Sequence, residues 1–101
     1  MHLIEDNLQR IYELCRKYKV KSLYAFGSIL TPRFNDDSDV DLLVNFNDNE
    51  VSYLNYADIY FDFHDSLRRL FRREVDLVDE TTVKNKYFKE ELDETKRLIY
   101  G

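Results

Sequence analysis

Leu3, Ile4, Leu8, Ile11, Tyr12, Cys15 and Tyr18 recur at the three- and four-residue intervals that place side chains on one face of an α-helix. Arg16, Lys17 and Lys19 follow where cations favour a helix C-terminus. From Val20 to Phe26 the run Leu23-Tyr24-Ala25-Phe26 reads as a buried strand ending at Gly27. Ser28 to about Phe34 suits a short helical turn, limited in length by Pro32. Val40–Phe46 is the second strand, and Asn47–Glu50 is a polar break. From Ser52, the residues Tyr53, Tyr56, Tyr60, Phe63, Leu67 and Phe71 form a helical stripe widened by Ile59, Phe61 and Leu70. Glu74–Asp79 alternates as a third strand, and Val83–Tyr100 carries a last helical pattern through Phe88, Leu92 and Ile99. The order helix, strand, turn, strand, helix, strand, helix predicts an α/β (α+β) fold, a small mixed sheet of about three strands with helices packed on it.

Nothing along the chain divides this pattern. With 101 residues, two Gly and one Pro, there is one domain, 1–101, without linker or repeat. A net charge of −5 disfavours direct nucleic-acid binding, whose affinity comes from Lys and Arg neutralising phosphates. Arg68-Arg69 and Arg72-Arg73 spread around a helix end and read as solvated charge. The single cysteine, Cys15, excludes a disulfide framework and suits a buried thiol. His2 and His64 form no metal-ligand pair. Glu5 and Asp6 interrupt any signal peptide, and no apolar run approaches the roughly 18 residues of a membrane span. A cytoplasmic protein without membrane attachment is expected.

The chemistry concentrates between Gly27 and Asp41. Read as strand, Asp39 and Asp41 project to one side with Cα atoms roughly 6–7 Å apart, while Val40, Leu42, Val44 and Phe46 line the other. Two carboxylates about 4 Å apart at an effective dielectric near 20 repel by on the order of 4 kcal/mol. A divalent cation between them removes that cost, and hard oxygen ligands match Mg²⁺ or Mn²⁺, which also take substrate phosphates. Gly27 permits close backbone approach, and Ser28 offers a hydroxyl and an amide at the start of a turn, a suitable place for phosphate. Two-ion phosphoryl transfer commonly needs a third carboxylate. Asp76, flanked by Val75 and Leu77 in what reads as a buried strand, is that candidate.

Gly27-Ser28, ten intervening residues, Asp39-Val40-Asp41 and the later Asp76 together resemble the minimal nucleotidyltransferase (MNT) family of the DNA polymerase β superfamily. The resemblance runs from the first helix to Leu98-Ile99-Tyr100. It implies a nucleotidyltransferase fold and an antitoxin partnered with a HEPN-domain toxin encoded beside it, hence a hetero-oligomer. It further implies AMP transfer from ATP, with Mg²⁺, to a tyrosine of that toxin. Asp39 and Asp41 would be metal ligands, Asp76 the third catalytic and metal-binding acid, and Gly27 with Ser28 the triphosphate cradle. Where family members commonly carry Arg and Gly after the Gly-Ser pair, this chain has Ile29, Leu30, Thr31 and Pro32, leaving Arg33 as the cation in a shifted position.

Blander readings attach to the same residues. Asp37, Asp39 and Asp41 match the start of a calcium loop, but Leu42 stands where that loop needs Gly. Asp36, Asp37 and Ser38 read as turn capping, Asp79 and Glu80 as solvated, and the Tyr53–Tyr60 stripe as core. Three functions stay open: a protein adenylyltransferase, an antitoxin that acts by occlusion alone, and a nucleotidyltransferase for a small hydroxyl compound such as an aminoglycoside. The last suffers because so short a chain leaves no acceptor-binding domain.

Overall fold

Residues 2–101 are described by the computed structural model. Helices α1 (His2–Asp6) and α2 (Leu8–Lys17) precede strand β1 (Val20–Phe26), a 3₁₀ turn over Gly27–Leu30 and strand β2 (Val40–Phe46). Helix α3 (Tyr56–Phe71) leads to strand β3 (Val75–Asp79), and a 3₁₀ turn over Glu80–Thr82 leads to α4 (Lys86–Thr95) and strand β4 (Arg97–Tyr100). The sheet order is β3-β2-β1-β4. β1 runs antiparallel to β2 and β4, while β2 and β3 are parallel, joined by α3 as crossover.

The first and second strands form where the hydrophobic pattern places them, because each supplies inward side chains to one core. Leu23 and Ala25 of β1 and Val40, Leu42 and Val44 of β2 are fully buried together with Ile11, Cys15, Phe63 and Leu67 from the helices. Burial pushes the Cys15 thiol up to about 12, so it is an inert packing group. On the opposite face, Phe26, Leu43 and Leu92 form a smaller cluster that docks α4.

Four departures from the sequence pattern have local causes. The single N-terminal helix is two, broken at Asn7, whose side-chain Nδ2 donates to the Leu3 carbonyl at 2.8 Å and competes with the helical ladder. The long helix starts at Tyr56 and not at Ser52, since the Ser52 N–H donates to Asn55 Oδ1 at 2.8 Å and closes a turn. The last helical stretch ends at Thr95 and gives way to a fourth strand. Lys96 there turns extended (φ −59°, ψ 148°), and Leu98 and Tyr100 pair with β1, so tertiary pairing overrides the spacing of Phe88, Leu92 and Ile99. Finally, Asp79 and Glu80 are not free in solvent. Tyr56 donates to Asp79 at 2.5 Å, and Glu80 accepts from Asn45 at 2.6 Å and from Lys96 at 2.8 Å.

β3 is an edge strand, and its open side is covered by side chains. The Glu74 carbonyl accepts from Val40 at 3.0 Å, so the alternate carbonyls of Val75 and Leu77 face away from β2. His64 Nε2 lies 2.6 Å from the Val75 oxygen, and the Tyr60 hydroxyl donates to that of Leu77. Tyr56, Tyr60 and His64 stack along α3 with ring centroids 5.9 and 6.2 Å apart. Their polar tips thereby occupy acceptors that an incoming strand would use. Within the Tyr53–Tyr60 stripe, only Tyr53 departs from core packing, at 89% exposed.

Tyr60→Phe is expected to cost about 1 kcal/mol in urea unfolding with the m-value unchanged, because it strips one hydrogen bond from a half-buried carbonyl. Lys96→Met should cost about 1–3 kcal/mol at neutral pH, since the Lys96 side chain is 18% exposed and its ammonium is bonded to both Glu80 and Asp93. Although desolvation opposes it, the Lys96 and Asn45 contacts hold Glu80 below its ordinary 4.5. That stabilisation is complete above 4.5 and is lost as pH falls through the depressed folded value. On the basic side, Glu80 and Asp93 outweigh desolvation and raise Lys96 above 10.5, so its share disappears as pH rises through the raised value. Unfolding curves of the two proteins should therefore converge at both extremes.

Candidate active site

Gly27 ends β1 with φ +74°, a left-handed conformation that costs other residues about 1–2 kcal/mol. Space demands glycine too: a Cβ there would collide with Asp41 Oδ2 and approach its Cγ to 3.2 Å. The chain therefore turns directly against the Asp41 carboxylate. In the sheet, Asp41 pairs with Phe26 on one side and with Asp76 on the other. Register partners on parallel strands project to the same face at a separation near 4.8 Å, so Asp41 and Asp76 are neighbours. Asp39, exposed just before β2, lies two residues from Asp41.

Electrostatics bind the three acids into one unit. The Asp41 carboxyl is raised above its ordinary 3.8, first by desolvation and then by the charges of Asp76 and Asp39, with the Ser28 amide opposing. Among the described residues none of the three makes an ion pair with a Lys, Arg or His. Nor do three acid, thiol or imidazole groups anywhere among them close into a ready metal cage. An uncompensated set of hard oxygens, open to solvent, fits a cation such as Mg²⁺ that takes a few carboxylates and completes its shell from water and phosphate.

Asp76 is placed differently from the buried setting its neighbours suggest. Val75 and Leu77 are buried, but the Asp76 side chain is exposed on the other face, so its charge is carried by water and needs no buried partner. Ser28 is half-buried in the 3₁₀ turn, and its carbonyl accepts from the Thr31 N–H at 2.9 Å and the Thr31 hydroxyl at 2.8 Å. Ile29, which stands where a cation would follow the Gly-Ser pair, is buried in the main core with Leu30 packed beside it. Arg33 is exposed, and its contacts are from backbone atoms to Thr31 and Asn35. The geometry thus joins Gly27, Ser28, Asp41 and Asp76, with Asp39 two residues away at the entry to β2, while the Arg33 guanidinium lies on the exposed loop between Ser28 and Asp39.

The cation that sequence reasoning missed is Arg73. It is not solvated charge: its Nη1 donates to the carbonyls of Asn35 at 2.9 Å and Ser38 at 2.8 Å, and its guanidinium lies 4.8 Å from the Phe34 ring centroid. Those contacts clamp the loop that delivers Asp39. Asn35 and Ser38 complete the loop from within, through Asp37 N–H to Asn35 Oδ1 at 2.8 Å and Asn35 N–H to Ser38 Oγ at 3.1 Å. The turn capping read for this segment is carried by Asn35 and Ser38. Only the position of Arg73 between a helix end and a strand marked it in the sequence.

The chain thus sets a glycine turn against an acid that is paired across a mixed sheet with a second acid, and comparison with known proteins shows the family. Residues 9–101 match the family described as "Polymerase beta, Nucleotidyltransferase", and the chain belongs to it. It is 37% identical over 98 residues to "Putative protein adenylyltransferase MJ0128" of Methanocaldococcus jannaschii, covering 96% of this chain and 93% of that protein. A second protein of that organism, "Putative protein adenylyltransferase MJ1379", is 33% identical over 84 residues, 83% of this chain and 79% of its own length. Among solved structures, a crystal structure of a toxin-antitoxin with AMP-PNP superposes with TM-score 0.71 at 22% identity, covering 94% of this chain and 73% of that one. A tri-AMPylated Shewanella oneidensis HEPN toxin in complex with MNT antitoxin gives TM-score 0.65 at 20% identity, covering 96% and 71%. These likenesses establish the nucleotidyltransferase fold, with four strands in place of about three.

Arg73→Gln is expected to speed amide hydrogen exchange at residues 35–39 by a factor of roughly 10 or more, the equivalent of losing about 1.5–3 kcal/mol of charged hydrogen bonding. Exchange in β1 should stay unchanged, and equal acceleration throughout the sheet would show that Arg73 supports the whole fold instead of the loop.

Proposed function

We propose that this single-domain chain transfers AMP from ATP to a tyrosine hydroxyl of a HEPN-domain toxin, and so acts as its antitoxin in a hetero-oligomer. What supports it is the Asp39, Asp41 and Asp76 arrangement against the Gly27 turn, unneutralised by any basic side chain, together with relatives named as protein adenylyltransferases.

In this reading the tyrosine oxygen attacks the α-phosphorus of ATP, forming the new O–P bond while the bond to the bridging oxygen of the β-phosphate breaks. Pyrophosphate leaves with that electron pair. The hydroxyl proton goes to the Asp76 carboxylate, which is exposed and so able to reach an incoming acceptor and pass the proton to water. Asp39 and Asp41, with Asp76, would hold Mg²⁺. When bound, the ion supplies charge neutralisation for the triphosphate. The Gly27 backbone lets phosphate approach closely, and Ser28 offers its hydroxyl to the same oxygens, its amide being turned to the Asp41 carboxylate.

A second reading, neutralisation by occlusion without transfer, draws on Ile29, which stands where a cation would follow the Gly-Ser pair and is instead committed to the core.

The two separate in one assay. Incubation with ATP, Mg²⁺ and the protein encoded next to it should raise that partner's mass by adenylyl units. Asp76→Asn should slow the addition by about 10²–10⁴-fold, the usual worth of a general base, and Asp39→Asn with Asp41→Asn should abolish both modification and neutralisation. A partner that loses activity with its mass unchanged, against wild type and the double variant alike, establishes occlusion instead.

A further inference from the structure

A concavity of about 1010 Å³ lies between the Gly27–Leu30 turn and α4. Its apolar lining includes Phe26, Leu92 and Phe88, the last 40% exposed. Its charged lining is Glu5, Glu91 and Glu94 against a single cation, Arg97. Glu5 has His2 3.9 Å away outside the cavity, and among the described residues Glu91, Glu94 and Arg97 make no salt bridge, so a net −2 on the lining faces whatever enters. Asp39, Asp41 and Asp76 do not line this space, but Gly27 does, and the same glycine abuts the Asp41 carboxylate. The groove and the acids thus meet at one residue.

Charge decides between the two molecules that a transferase must seat. A nucleoside triphosphate laid in the groove would meet three carboxylates well inside a Debye length of about 8 Å, with one arginine to offset them. A polypeptide carrying Lys or Arg would find the opposite: paired charge at the rim and apolar contact on Phe26, Phe88 and Leu92. A volume of this size takes several side chains.

We infer that this groove is the acceptor-binding site, and that it takes a polypeptide segment with Lys or Arg beside the tyrosine to be modified. The inference rests on the transfer reading above and adds to it which surface receives the acceptor and what charge the acceptor carries. Nucleotide approaches from the acid side of Gly27, acceptor from the α4 side, and the tyrosine hydroxyl reaches Asp41 and Asp76 beside the glycine, against which the Asp41 carboxylate lies.

Two dodecapeptides with a central tyrosine, one flanked by Lys and Arg and the other by Glu, test this by fluorescence anisotropy on the full chain without nucleotide. The basic peptide should bind at least roughly tenfold more tightly, and more weakly as salt rises. Glu91→Gln with Glu94→Gln, both exposed positions on α4, should erase most of that preference. Equal binding of the two peptides, or a preference that survives the double variant, overturns the inference. So does a roughly tenfold gain in affinity for ATP with Mg²⁺ in the variant, which would mean that the carboxylates had been repelling nucleotide from this groove. Failure of the wild type to bind ATP with Mg²⁺ at all would sink the transfer reading separately, and with it the groove's role as an acceptor site.

Discussion

Asp41 occupies the second position of β2, where its carboxylate is hemmed in by the Gly27 backbone on one strand and by Asp76 on the other. Burial and two like charges all push it toward the neutral form, and one backbone amide resists. That unfavourable placement is the constraint on which the surrounding structure depends. It requires glycine at position 27, it requires β3 parallel to β2 in the one register that sets Asp76 opposite Asp41, and it requires a rigid loop to bring in Asp39. Each requirement is met by a specific device: a positive φ, the α3 crossover, and the Arg73 clamp.

The division of labour between the two sheet faces follows. Val40, Leu42 and Val44 face α1, α2 and α3 and are wholly buried, so β2 is fixed in register by the core. A slip of one residue would send Asp41 into that core and Val40 to the site. The hydrophobic face thus enforces the position of the acids on the other face, where α4 covers the Phe26 and Leu43 end of the sheet and leaves the acids open. Stability is provided on one side of a sheet one strand thick, and chemistry is displayed on the other.

How much of this could be read in the residues depended on range. The i, i+2 spacing of Asp39 and Asp41 and the alternation behind them are local, and β1 and β2 lie where that pattern puts them. Asp76 was identifiable as a candidate, yet its reason was misjudged: it sits on the exposed face, and what matters is its register with Asp41, a property of strand pairing between segments 35 residues apart in sequence. Arg73 and Asn35 are separated by 38 positions, so a cation cluster looked like solvated charge. β4 escaped for the opposite reason. Its four residues carry too few side chains to show a period of two, and Ile99 continued the helical spacing until pairing with β1 decided otherwise.

A partner of the kind proposed above would have to use what the sheet leaves uncovered. The β3 edge is closed to strand addition by Tyr60 and His64, which occupy its outward carbonyls, so a partner cannot simply extend the sheet there. The acids themselves repel any acidic surface and favour phosphate only when a cation is present. The α4 side offers a different surface, where Tyr87 at 80% and Phe88 at 40% exposure lie near the Glu91 and Glu94 carboxylates. Aromatic side chains give contact area at small entropic cost, and charge gives orientation more than affinity. On the acceptor-site inference, such a surface would hold the acceptor in one orientation without retaining it, which suits an enzyme that must release each product before turning over again.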